Sequence, residues 1–193
     1  GLIAAGFVAT GIYLDFPAIT AELSVELVKR IAAADPAFAA DPVATMALAN
    51  SVLKIIPFVQ PASWLLVIMA NFWMALAISR RSGLFRRPKD DWPTSLKMPS
   101  GALPLFALAM AGTFLGGGFG MIAWCIAGAF SMAFVFTGFA ALHRLSRGKP
   151  WRMTALWIAY ATSLTIGIPV LAFLFAGHYD TAKKPAADGS NFN

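Results

Sequence analysis

Apolar and polar residues in this chain fall in long blocks rather than in short alternation. The longest block runs from Gly101 to Leu142, forty-two residues without one charged side chain. As a single helix it would reach roughly 63 Å at about 1.5 Å per residue, twice the roughly 30 Å of a bilayer's hydrocarbon core. The cluster Gly116-Gly117-Gly118-Phe119-Gly120 lies near its middle and supplies a turn. The block therefore reads as a transmembrane hairpin, with arms at about 101–117 and 120–142.

Upstream, residues 1–14 are apolar and end at Asp15-Phe16-Pro17, so they read as the end of a span whose earlier part precedes the given chain. In Ala18–Ile31 the apolar residues Ile19, Leu23, Leu27 and Ile31 recur every fourth position, with Glu22, Glu26, Lys29 and Arg30 between them. That pattern predicts an amphipathic helix, too charged to cross a membrane, lying at its surface or packed on other helices. Asp41-Pro42 marks a helix start. The helix it opens is expected to reach about Ile56, with Pro57 and Pro61 breaking or kinking the path before a span over 62–79. After the hairpin, 153–176 reads as a last span, bent by Gly167 and Pro169, and 181–193 as a polar disordered tail. The expected architecture is all-α: one membrane domain over 1–180, a polytopic transmembrane helical bundle with a central hairpin and an extracytoplasmic amphipathic region at 15–60.

Composition agrees, since 59% of the residues are hydrophobic and 12% charged, where soluble domains carry about a quarter charged. A net charge of +6 raises the question of nucleic acid, but the positive residues flank apolar spans, which is a topology signal, and no nucleic-acid partner is expected. Arg80, Arg81, Arg86 and Arg87 in the loop 79–100, and Arg144 and Arg147 beside His143 in the loop 143–152, form a basic cluster at the membrane edge. A hairpin between the two loops puts them on one side, which the positive-inside rule makes cytoplasmic. The Gly116–Gly120 turn, residues 15–60 and the C-terminal tail then fall outside, and the expected location is the bacterial inner membrane.

Candidate chemistry is sparse. The lone Cys125 sits in an apolar span without metal spacing, and His143 and His178 fall at opposite faces of this topology. No carboxylate lies within an expected span and no phosphate loop is present, so no catalytic residue, metal or cofactor is expected. Asn71 is the one strongly polar side chain inside a span, and its amide needs either an interhelical hydrogen bond or a ligand. Lys54 either snorkels to the interface or lines an external vestibule. A ligand pocket between the hairpin and the last span would draw on Asn71, Trp73 and Trp124. Gly112, Gly116, Gly128 and Gly138 are candidate positions for close helix packing, within one subunit or between two.

Phe136-Thr137-Gly138-Phe139-Ala140-Ala141-Leu142-His143 ends a span in a glycine-to-histidine step. A basic loop with Gly148-Lys149-Pro150 follows, then a span closing at Ala176-Gly177-His178-Tyr179-Asp180. With Asn71-Phe72-Trp73 and Arg80-Arg81 upstream, this resembles the YybS-like family of bacterial multi-pass membrane proteins, a family of unknown function, over roughly Pro61–Asp180. Members of that family carry further spans upstream and a basic tail that this chain does not match. The family has been compared with the substrate-capturing components of energy-coupling-factor transporters, so the resemblance implies binding without an ATPase of its own. Two functional expectations follow. The first is a non-enzymatic accessory, scaffold or assembly subunit whose partners are the lipid bilayer and other membrane protein subunits. The alternative is a small-molecule-binding transporter component.

Overall fold

A computed structural model of the protein describes residues 16–35, 38, 40–83 and 91–183. The expected partial span over 1–14, Arg86 and Arg87, and residues 184–193 lie outside the described residues. Among the described residues all regular structure is helical. The elements are α1 (Phe16–Ala34), α2 (Pro42–Arg81), the single turn α3 (Trp92–Ser95), α4 (Ala102–Gly112) continued by a 3-10 turn (Thr113–Leu115), α5 (Gly117–Leu145), α6 (Arg152–Thr165) and α7 (Pro169–Ala182). Two of these, α2 and α5, are long and apolar enough to cross a membrane, and α6 with α7 adds a third if the bent pair is one span.

Local chemistry sets the start of α2. The Asp41 carboxylate accepts a hydrogen bond from the Ala44 N–H at 3.0 Å, satisfying one of the donors a helix leaves free at its first turn. The Thr45 hydroxyl donates to the carbonyls of Phe38 at 2.7 Å and Asp41 at 2.9 Å. From there α2 continues for 40 residues without interruption, through Pro57 and Pro61, where a break was expected. Each proline removes one ladder donor, yet packing holds the helix together across them. Phe58, between the two, meets Trp124 edge-on at 5.8 Å, and its backbone lies so close to Gly128 that a Cβ there would overlap the Phe58 carbonyl. At about 1.5 Å per residue α2 is roughly 60 Å long. Its charge-free run, Ile55–Ser79, begins directly after Lys54 and ends at Arg80 and Arg81, and both prolines lie within it.

The glycine-rich turn is narrower than its five residues imply. Gly116 and Gly117 alone have positive φ, at 69° and 56°, and α5 starts at Gly117, so the rest of the cluster is helical. A Cβ on Gly116 would meet nothing within 4 Å, so this glycine serves the turn and not the close packing expected of it. Gly112 does pack, since a Cβ there would lie 3.0 Å from that of Ala123. The first arm, Ala102–Leu115, is roughly 22 Å long, shorter than a full crossing of about 30 Å.

Within the expected membrane domain, internal contacts define two compact units: the described residues up to Ser63 with Ala107–Ala129, and Trp64–Phe106 with Phe130 onward. In the first unit α1 forms as predicted, and its apolar ridge is half-buried only in its second half, at Leu27 and Ile31. Ile19 and Leu23 are exposed, whereas Ser24 is buried and its hydroxyl donates to the Ala21 carbonyl at 2.7 Å.

In the second unit Phe134 is fully buried, with Phe106 edge-on at 5.5 Å and the His178 ring stacked at 4.1 Å. Gly138 and Gly177 let α5 and α7 touch backbone to backbone, because a Cβ on the first would overlap the Phe173 carbonyl and one on the second that of Phe134. The stretch read as one span over 153–176 is instead two helices of 14 residues bent by 119°. Gly167, at φ 75°, makes the reversal and Pro169 starts the second helix. Asp180 at the end of α7 pairs with Arg144 at the end of α5. The end of α7 therefore returns to the His143–Arg152 loop, which revises the placement of the C-terminal end on the opposite face. The helix also runs two residues past the expected boundary at 180, to Ala182.

Candidate ligand-binding cleft

The first unit holds a cleft of about 760 Å³ built from three helical stripes. On α2, Asn50, Leu53, Lys54 and Pro57 fall at spacings of three, four and seven, which puts them on one face. On α5, Gly117, Gly120, Met121 and Trp124 repeat that spacing, and α1 contributes Thr20, Ala21 and Ser24. Phe58 holds the Trp124 indole in place, with ring planes at 85°. The small side of the α5 stripe opens the space, and the indole and the Met121 thioether give it an apolar wall.

Among the described residues Lys54 is the one charged side chain lining the cleft. Neither Lys54 nor Asn50 has a hydrogen-bond or ion-pair partner among the described residues, and both are exposed. Lys54 borders the open cleft, a position compatible with either expectation for it. Gly116 and Gly117 border the same space at the start of α5, where the first helical N–H groups have no intrahelical acceptor.

Asn71 and Trp73 do not join it. Both lie in the second unit and are exposed, Trp73 to 64%. Asn71 has no hydrogen-bond partner among the described residues, so the interhelical bond that was one expectation for it is not made there. The pocket of Asn71, Trp73 and Trp124 drawn from sequence thus separates, with Trp124 in the cleft beside Lys54 and the other two exposed on α2.

The basic cluster is also partly committed. Arg144 donates to the Pro93 carbonyl at 2.7 Å and pairs with Asp180, while Arg147 pairs with Asp91. The Arg147 guanidinium and the Thr94 hydroxyl, at 2.8 Å, hold the Asp91 carboxyl below the usual carboxylate range. His143 Nε2 lies 2.9 Å from the Tyr160 hydroxyl, and His178 Nδ1 2.8 Å from the Leu174 carbonyl, so the two histidines have separate partners. Arg80 is half-buried and Arg81 exposed at the end of α2.

The class these helices define is that of a membrane protein. No family model matches the chain, and no curated protein or solved structure matches it either. The resemblance to the YybS-like family rests on the quoted motif alone. Three residues of that motif hold the second unit together: Gly138 and Gly177 at the helix contact and Asp180 on Arg144.

Proposed function

We propose that the chain is a non-enzymatic, multi-pass protein of the bacterial inner membrane and an accessory or assembly subunit of a membrane protein complex. The observation that carries this reading is Asn71. It stands on the apolar, largely exposed α2, with Phe72 and Trp73 exposed beside it. An amide without a partner in hydrocarbon costs several kcal/mol, and a hydroxyl or amide on a helix of another subunit would relieve it. The basic residues at the ends of α2 and α5 support a topology with the loops 79–100 and 143–152 in the cytoplasm. Extraction from native membranes in mild detergent tests the reading. The wild type should migrate with a stoichiometric membrane partner, and Asn71→Leu should lose it while staying folded. A lone wild-type protein, or a partner retained by Asn71→Leu, would refute it.

A second reading, a small-molecule-binding transporter component, is favoured by the cleft. Its volume falls within the range of about 300–1,000 Å³ typical of small-molecule sites, and it combines an apolar wall with a few polar groups.

A further inference from the structure

The cleft of the first unit is asymmetric in its chemistry. Its α2 side presents Asn50 and Lys54, the latter being the only charge that lines it and one without a counter-ion among the described residues. Its α5 side presents Met121 and the Trp124 indole, fixed by Phe58. A cation without a counter-ion among the described residues, at the mouth of a concave cleft, draws anions toward it. Lys54 is also the last charged residue before the charge-free run Ile55–Ser79, so it marks the polar edge of the apolar segment, the level of lipid headgroups and of amphiphiles at the interface.

We infer that this cleft binds an amphipathic anion, with its carboxylate or phosphate at Lys54 and Asn50 and its apolar body along Trp124 and Met121. The inference rests on the reading of the cleft as a ligand site and adds the class of the ligand. Such a molecule is either a water-soluble organic acid or an anionic lipid, and the two sources share the headgroup chemistry that Lys54 recognises.

The test is thermal unfolding of the full chain in neutral maltoside micelles with two matched probe pairs, octanoate against octanol and phosphatidylglycerol against phosphatidylcholine. The anionic member of at least one pair should raise Tm in a saturable way while its neutral or zwitterionic counterpart does not. A response to octanoate assigns the site to soluble acids, and a response to phosphatidylglycerol alone assigns it to lipid. Lys54→Gln should weaken the apparent affinity roughly tenfold or more, as expected for loss of a charge-assisted bond, and Lys54→Arg should retain it. Lys149→Gln, the same loss of charge in the loop after α5, should change nothing. Should Lys54→Gln fail to purify folded, Asn50→Leu provides the second variant, with weakened anion binding expected. Equal stabilisation by octanol and octanoate, or a full anion response in Lys54→Gln, would overturn the anion assignment and leave a ligand site standing. No saturable response to any of the four probes would overturn both.

Discussion

Replacing Gly138 by alanine tests the packing of the second unit most directly. On an exposed helix the change would stabilise by about 1 kcal/mol, because alanine is the better helix former. Here the added Cβ would lie 3.0 Å from the Phe173 Cα, where an ordinary contact is about 3.5–4.0 Å, and would overlap the Phe173 carbonyl outright. The obstacle is backbone, which has no rotamer to change, so α5 and α7 must move apart. That separation loosens the stack of Phe139 on Phe173 at 4.0 Å and of Phe134 on His178 at 4.1 Å. Overpacking of this kind costs about 1–3 kcal/mol, more where nothing can give, so the net loss after the propensity gain is about 2 kcal/mol. For a chain of this size that lowers Tm by about 4–8 °C. Thermal unfolding in detergent micelles measures it, with Gly101→Ala as the control, since a Cβ there meets nothing within 4 Å and φ is not positive. A Gly138→Ala variant as stable as the wild type would refute the close approach of the two helices.

Two further outcomes bear on the same unit. The Arg144–Asp180 pair is about one-fifth exposed on each side, so Asp180→Ala should cost about 1.5–3 kcal/mol by leaving a largely covered guanidinium short of its partner. Adding Arg144→Met in that background should cost little more, and fully additive losses of Tm would count against the pair. Asp91, with its carboxyl held below the usual range by Arg147 and Thr94, contributes stability above its unfolded-state pKa and loses it as pH falls through the folded value. A series of Tm measurements from pH 6 downward should therefore show a loss below about pH 4 that is smaller in Asp91→Asn, and identical profiles would remove the interaction from the account.

What was legible in the sequence was local. Asp41-Pro42 starts a helix because one carboxylate and one fixed φ act within a single turn, and the bond to Ala44 realises that. Gly116 and Gly167 mark reversals because both need positive φ. The departures lie where distant residues override local preference. Pro57 and Pro61 would end a helix in isolation, but Phe58 packed on Trp124 and Gly128 carries α2 through them. Gly167 and Pro169 announce a bend, but its size of 119° goes with contacts from α5 to α7 that no spacing within 153–176 contains.

The cleft follows the same logic. The sequence offers Lys54 a vestibule and groups Trp124 with Asn71 and Trp73, but which face of α2 meets α5 depends on contacts that no spacing within α2 contains. On α2 the stripe Asn50, Leu53, Lys54 and Pro57 was the available signal, with spacings of three, four and seven, and Asn71, seventeen residues beyond Lys54, belongs to the part of the helix in the other unit. The separation gives one helix two different polar tasks. At its polar edge a cation faces a cleft with an apolar wall, and within its apolar run an amide faces outward without a partner. A ligand can satisfy the first and a neighbouring subunit the second. The Lys54→Gln and Asn71→Leu variants should therefore act independently, one on anion-dependent Tm and the other on co-migration of the partner.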